Sequence, residues 1–295
     1  PLPFEPPTEM VDVNTLVAVA IDGIGNGLLL ALLGVGITLV FGLGELLNLA
    51  QGIFAVLGAL VALEIVEYGV PLPAALVLSL VAIAAFSLVV DRGLLSSVYK
   101  SEGDERIMVG IFVTLGLTLA IEGLLFVYRP YRFTLPYDVE SVQAFGTFVR
   151  GASILNIVVA SVVIGALFVF LRRTYLGNAA RTITQDEVGA SLCGIDTRRM
   201  RTIIFATSAT LAAVAGLLAG IGGSLSAASG FELTVQALIV SIVGGVRNVP
   251  GTVVAGVGLG LVLAYANFFI GSYLALIAMF ATAMAAIAVR REAFA

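Results

Sequence analysis

Apolar runs of about the length of a membrane-spanning helix follow one another along nearly the whole chain. A helix needs about 20 mostly apolar residues to cross the hydrocarbon core of a bilayer. Eight runs meet this requirement, at residues 15–41, 46–66, 72–90, 107–127, 152–171, 203–223, 251–270 and 272–289. A ninth run, 231–246, is shorter and predicts either a short span or a re-entrant helix packed inside the protein. The sequence therefore predicts an all-α, polytopic membrane helix bundle with eight or nine segments, in one transmembrane domain over 1–295.

A polar, arginine-rich island at 171–200 interrupts the apolar runs. Six arginines lie in the island or directly after it: Arg172, Arg173, Arg181, Arg198, Arg199 and Arg201. Because arginine and lysine are enriched in cytoplasmic loops of membrane proteins, we expect residues 172–201 to form a cytoplasmic loop. This places the chain in the cytoplasmic (inner) membrane of a cell as a multi-pass protein.

The short run at 231–246 decides the topology. If it crosses the membrane, Arg247, Arg290 and Arg291 lie on the same side as the island. The acidic N-terminus, with Glu5, Glu9 and Asp12, then lies outside. We favour this arrangement of nine membrane elements because it satisfies the charge rule. Residues 91–106 then form a second cytoplasmic loop, and residues 128–151 form an extracytoplasmic loop.

The composition excludes several kinds of chemistry. The chain is 60% hydrophobic and 12% charged, and it contains no histidine and one cysteine. A Ser-His catalytic pair, a His-ligated metal site and an internal disulfide are therefore excluded. The lysine at position 100 is not part of a Gly-Lys-Ser/Thr loop, so a Walker A nucleotide site is excluded too. We predict no catalytic residue, no metal site and no cofactor in this chain, and no nucleic-acid partner; ATP, if it is used, binds to partner subunits.

Three polar residues stand within apolar sequence at 41–52, FGLGELLNLAQG. Glu45, Asn48 and Gln51 are three residues apart, so a helix would carry them along one side. Neighbouring glycines allow a helix break that exposes backbone groups to a solute. Asn48 and Gln51 are therefore either pathway residues or bridges between helices, whereas Glu45 is expected in a short cytoplasmic turn. The segment 244–252, GGVRNVPGT, predicts the end of one helix and the start of another.

Several glycines recur four residues apart. Small residues at this spacing let helix backbones approach closely in lipid. We expect three such pairs to mark helix-packing faces: Gly23 with Gly27, Gly216 with Gly220, and Gly256 with Gly260.

Three motifs together resemble the permease subunits of ATP-binding-cassette importers for branched-chain and other hydrophobic amino acids. The strongest is YLGNAARTITQDEVGASLCGIDTRRMRTIIFATSATLAAVAGLLAG at 175–220, which is similar to the family's cytoplasmic signature. NLAQG at 48–52 is similar to its Asn-Phe-Ala-His-Gly segment, from which Leu49 and Gln51 depart. VGGVRNVPG at 243–251 is similar to its Gly-Gly-x-Gly-x-x-Pro-Gly segment, in which Arg247 replaces a glycine.

The resemblance implies a coupling helix at 179–193 that docks on a cytoplasmic ATPase. A continuous helix over 177–191 would place Ala180, Thr184, Glu187 and Ser191 on one side, with a glycine and then an isoleucine capping its end. The alternative is an ordinary amphipathic helix on the membrane surface. The expected coupling residues are Gly177, Ala180, Arg181, Asp186, Glu187, Ala190, Gly194 and Ile195. The expected pathway residues are Asn48, Gln51, Gly52, Gly244, Gly245, Pro250 and Gly251.

By this resemblance the chain is a permease subunit without catalytic residues. Its expected partners are cytoplasmic ATPase subunits, a second permease subunit that is identical or homologous, and an extracytoplasmic substrate-binding protein. Two alternatives remain: an importer permease for urea, short amides or simple sugars, and an ion-coupled secondary carrier. A carrier would need ionisable groups in its spans. The candidates are few: Glu45, Glu64, Glu67, Asp91 and Glu122.

Overall fold

The computed structural model describes residues 13–292, except Lys100, Glu102, Pro130, Asp138, Phe145 and Gly146. The acidic N-terminal residues Glu5, Glu9 and Asp12 lie outside the described residues, as do the side chains of Arg290 and Arg291. The helices are α1 Val13–Gly44, α2 Gln51–Glu67, α3 Leu72–Val90, α4 Ser96–Val98, α5 Gly103–Tyr128, α6 Gly151–Arg173, α7 Tyr175–Gln185, α8 Glu187–Leu192, α9 Thr197–Gly222, α10 Ser229–Gly244, α11 Val249–Ile270 and α12 Ser272–Glu292. A π-helical turn, Asp91–Leu95, joins α3 to α4.

The bundle is all-α in its membrane part, as predicted. Seven described helices are long and apolar enough to cross a bilayer: α1, α3 continued through α4, α5, α6, α9, α11 and α12. Two shorter apolar helices, α2 with 17 residues and α10 with 16, complete the nine expected elements in the described part of the chain. The predicted short run is α10, and the predicted 46–66 span begins as a helix only at Gln51.

Two ends of the bundle can be told apart by their contacts. At the hairpin end, strands β1 Val142–Ala144 and β2 Thr147–Val149 pair antiparallel, and Phe133 bridges to Leu225. At the arginine end, α7 lines a cavity together with Arg247 and Asn248 of the turn between α10 and α11, and α8 follows α7. The loops expected outside and inside, 128–151 and 172–201, therefore lie at opposite ends of the molecule.

Helix α1 is the centre of the bundle, because its neighbours approach it at glycines. A methyl group on Gly27 would lie 2.7 Å from the carbonyl oxygen of Gly256, and one on Gly260 would overlap the Gly27 backbone. On the other side of the core, a methyl group on Gly216 of α9 would overlap Ala55 of α2. The predicted glycine faces are thus confirmed as close helix contacts.

Candidate functional site

The chain between α1 and α2 is not helical. Glu45 adopts a φ of 50°, and its N–H donates to the carbonyl of Phe41, which ends α1 with a left-handed cap. Its carboxylate accepts a hydrogen bond from Arg247 at 2.7 Å, at the exposed arginine end. The prediction that one helix carries Glu45, Asn48 and Gln51 is therefore wrong. Glu45 lies in the turn that the sequence favoured.

From this turn the chain runs back into the bundle. The side chain of Gln51 packs against Gly36, which is eight residues before the end of α1. At 1.5 Å per residue this places Gln51 about 12 Å inside the arginine end. The non-helical segment 45–50 thus leads from the arginine end into the bundle, and α2 is a half-helix that starts inside the protein.

Threonines of α5 form hydrogen bonds with the backbone of the non-helical segment 45–50. The N–H of Leu49 donates to Thr114 Oγ1 at 3.0 Å, and Thr118 Oγ1 donates to the carbonyl of Leu49 at 3.0 Å. The N–H of Ala50 donates to Asn48 Oδ1 at 3.0 Å. Non-helical backbone at this depth is tolerated only where protein groups replace water, which these bonds do. Sequence reasoning missed both threonines, although their i, i+4 spacing within an apolar run was visible.

Gln51 is the centre of a closed hydrogen-bond network. Its Oε1 accepts from Asn48 Nδ2 at 3.2 Å and from Ser208 Oγ of α9 at 2.9 Å, and its Nε2 donates to the Ser208 carbonyl at 3.1 Å. Asn48, Gln51 and Ser208 are all fully buried. Neither amide lines either of the two cavities described below. This geometry favours the alternative that they bridge helices.

The first turns of α2 and α10 meet inside the bundle. The N–H of Gly52 donates to Thr234 Oγ1 at 2.8 Å, and a methyl group on Gly52 would overlap the Gly230 carbonyl oxygen. Helix α10 also begins within the protein, after the non-helical segment 223–228. Two half-helices of opposite direction therefore start side by side.

The predicted helix boundary after α10 is confirmed. Gly245 has a φ of 99° and ends α10, while a methyl group on Gly244 would overlap the backbone at Thr252. Gly251 approaches the carbonyl of Gly244 equally closely. Of the expected pathway residues in this segment, Pro250 lines a cavity at the arginine end. Gly244, Gly245 and Gly251 form the turn itself.

The expected coupling helix is two helices. Asp186 has an extended backbone (φ −154°, ψ 105°), and its Oδ1 accepts from the N–H of Gly189 at 2.9 Å, so it ends α7 and caps α8. A continuous helix over 177–191 is therefore wrong. Ala180 and Ala190 are buried within the chain, and Gly177 packs on the end of α6, so these three face inward.

The outward face of α8 is apolar. Val188 is 69% exposed and Leu192 is 83% exposed, four residues apart on one side. After α8, the N–H of Ile195 donates to the carbonyl of Ala190 and the N–H of Gly194 to that of Ser191. This is the glycine-capped ending that the sequence predicted.

An arginine connects α8 to the bundle. Arg201, at the start of α9 and 8% exposed, pairs with the Glu187 carboxylate, and its guanidinium stacks over the Tyr99 ring at 4.9 Å. Arg106 at the start of α5 lies 3.7 Å from the same carboxylate. Burial raises the pKa of the Tyr99 phenol, so this ring stays neutral. These contacts join α8 to α5 and α9, and through Arg201 to Tyr99, the residue after α4.

The expected coupling residue Arg181 forms local hydrogen bonds, to Asn178 at 2.6 Å and weakly to the Arg172 carbonyl.

Two cavities of about 360 Å³ open at opposite ends of the bundle. The one at the arginine end lies between α1, α6, α7 and the start of α11, and Arg172, Arg181 and Arg247 line it. The one at the hairpin end lies between α1, α6, α10 and α11, with Asn156 and Gln236 in its wall. Thr38 of α1 lines the cavity at the arginine end and contacts Ser241 and Thr252 at 2.8 and 2.9 Å. Within the described residues, no group of three or more Cys, Asp or Glu side chains could hold a metal ion.

Helices α2 and α10 begin inside the bundle, cavities open at both of its ends, and α8 is exposed at one end. These features are typical of a membrane transport protein. Residues 19–289 match the family model described as the branched-chain amino acid transport system permease component, and the chain belongs to this family. It is 24% identical over 268 residues to the high-affinity branched-chain amino acid transport system permease protein LivH of Salmonella typhimurium, covering 85% of this chain and 86% of that protein.

Two further relatives cover similar shares of the chain. BraD of Pseudomonas aeruginosa, a high-affinity branched-chain amino acid transport system permease protein, is 25% identical and covers 83% of this chain and 84% of its own. The ribose import permease protein RbsC of Haemophilus influenzae is 26% identical and covers 84% and 77%. No solved structure matches the chain.

Proposed function

We propose that this chain is the membrane-spanning permease subunit of an ATP-binding-cassette importer that carries branched-chain amino acids across the cytoplasmic membrane. The family match over 19–289 supports the transport class and the solute. The coupling to ATP is supported by one observation: α8 has an exposed apolar face, and a buried arginine, Arg201, pairs with Glu187 of this helix.

The ATPase is a separate subunit that docks on α8. Val188 and Leu192 expose an apolar pair outside the long apolar helices, which is costly in water and is removed by a partner surface. The chain has no nucleotide-binding loop of its own. Binding of ATP to the partner would push α8, and the Glu187–Arg201 pair would pass the motion to α9.

Helix α9 would transmit this motion to the start of α2. Ser208, seven residues after Arg201, holds Gln51 at the start of α2. A shift of α9 therefore moves the point where α2 and α10 begin, between the two cavities. Alternating access requires that one cavity closes while the other opens. The contact between Ser208 and Gln51 would serve as the hinge for this change. A second permease subunit and a binding protein at the hairpin end would complete the importer.

A sugar is the second candidate solute, because RbsC of Haemophilus influenzae, a ribose import permease, covers 84% of this chain. An ion-coupled carrier is less favoured, because four of its five candidate acids accept hydrogen bonds from other side chains, Glu45 from Arg247 among them. Arg129 pairs with Glu64 and Glu67 at 2.7 and 2.6 Å, and Thr202 donates to Asp91 at 2.6 Å.

The docking proposal is tested by purification from the native membrane in mild detergent. We expect a nucleotide-binding protein to co-purify with the wild-type chain and to be lost with Val188→Asp or Leu192→Asp. Ser191→Ala, on the same helix, is the matched control and should keep it. A membrane-surface role for α8 would instead leave the same protein bound to all variants, or to none.

A further inference from the structure

The cavity at the hairpin end holds a buried polar atom without a partner. Asn156 of α6 is 4% exposed and lines this cavity, and its Oδ1 accepts no hydrogen bond within the described residues. A buried carbonyl oxygen left in this way destabilises the fold. Gln51 shows that this fold can satisfy a buried amide fully, so the open acceptor at Asn156 is a feature of this site.

More amides stand around the same space. Gln236 of α10 is 8% exposed and lines the same cavity, and its Nε2 donates to Glu232 Oε1 at 3.3 Å. Asn26 of α1 and Asn267 of α11 line it nearer the opening. Four helices thus direct neutral hydrogen-bonding groups into one cavity, which is a pattern typical of a small-molecule site.

Leucines form the apolar part of the wall, beside the hydroxyl groups of Ser153 and Ser224. Leu29 and Leu30 of α1, Leu233 of α10 and Leu263 of α11 line the cavity. Its volume of about 360 Å³ is at the lower end of the range for ligand sites, which suits a small solute. A branched aliphatic side chain would bury its surface against these leucines.

A pair of opposite charges stands at the opening. Arg150 donates to Asp22 Oδ2 from Nη2 at 2.8 Å and from Nε at 3.1 Å, and Ser153 donates to Asp22 Oδ1. Arg150 lines the cavity and a smaller adjoining one of about 250 Å³ that also contains Asp22. The opening therefore presents one cation and one anion, which attract the carboxylate and ammonium groups of an amino acid before it enters the cavity.

We propose that this cavity is the site where the permease receives an α-amino acid with an aliphatic side chain. The inference rests on the proposed function and adds the location of the solute. The ammonium group donates to Asn156 Oδ1, Gln236 contributes a further hydrogen bond, and the side chain lies against the leucines. A sugar carries no charged group that could pair with Arg150 or Asp22.

The test uses the complex of permease and ATPase subunits without the binding protein, purified from its membrane and reconstituted in lipid nanodiscs, with radiolabelled leucine as the probe. Asn156→Leu keeps the size of the side chain and removes its polar groups. We expect leucine binding at least about tenfold weaker, as for the loss of one hydrogen bond to a charged group. The melting temperature should stay the same or rise, because the unpartnered oxygen is gone. Gln236→Leu should weaken binding as well.

Ser161→Ala, on the exposed face of α6, is the matched control and should bind leucine as the wild type does. Wild-type affinity in Asn156→Leu would overturn the inference, and so would binding that falls only together with the melting temperature. Failure of the proposed function has a different result: wild-type importer in proteoliposomes would not take up leucine. Uptake with unchanged leucine affinity in Asn156→Leu leaves the function standing and rejects the site.

Discussion

Buried amides in this chain are of two kinds, and their sequence surroundings do not distinguish them. Gln51 and Asn156 both lie within largely apolar sequence. The Gln51 side chain forms three hydrogen bonds, one with Asn48 and two with Ser208. The Asn156 side-chain oxygen accepts none within the described residues. The cost of a polar group in lipid indicated Gln51 from the sequence, whereas Asn156 was missed. Only the packing shows which amide supports the fold and which is open to a solute.

Gln51→Ala should therefore destabilise the protein. Asn48 Nδ2 and Ser208 Oγ lose their acceptor in a fully buried site, which we expect to cost about 2 to 4 kcal/mol. Thermal unfolding of the detergent-purified complex measures this, with Gln185→Ala on the exposed surface as the control. Normal melting with altered leucine uptake would instead place Gln51 in the pathway.

Gly52→Ala tests the contact between the two half-helices. The added methyl group would overlap the Gly230 carbonyl, and backbone cannot move aside easily, so we expect a loss of about 3 kcal/mol. Gly116→Ala, at an open position within α5, should be neutral or stabilise by up to about 1 kcal/mol. Equal melting temperatures for the two variants would show that α2 and α10 are not in close contact.

At the scale of elements, sequence predicted where helices lie better than where they break. Hydrophobic length located all nine membrane elements, because the bilayer sets that length. The break at 45–50 depends on Thr114 and Thr118, which are more than 60 residues away in sequence, so periodicity alone placed a helix there. The break at Asp186 had a local signal, an Asp followed by a Glu, that is typical of a helix start.

Arg201→Lys should uncouple α8 from α9. Lysine keeps the charge but loses the planar guanidinium that both pairs with Glu187 and stacks on Tyr99. We expect the ATPase to remain bound and to hydrolyse ATP while leucine uptake falls several-fold. Arg199→Ala is the control, because Arg199 is exposed and pairs only locally with Asp196. Equal losses of hydrolysis and uptake would show that Arg201 serves assembly alone.

At the scale of the whole molecule, the two ends should face different compartments. Cys193 is the single cysteine and is exposed beside α8 at the arginine end. A membrane-impermeant maleimide should label it in inside-out vesicles and leave it unlabelled in right-side-out vesicles. Ser141→Cys in a Cys193→Ser background, at the hairpin end, should show the reverse. The same pattern for both positions would contradict the nine-element topology.

The most direct test is ATP-dependent uptake of leucine by the purified importer in proteoliposomes, with the binding protein supplied outside. Leucine should accumulate inside with ATP and fail to accumulate without it or with Leu192→Asp. Accumulation that needs an ion gradient and no ATP, or uptake of ribose in place of leucine, would contradict the function proposed for this chain.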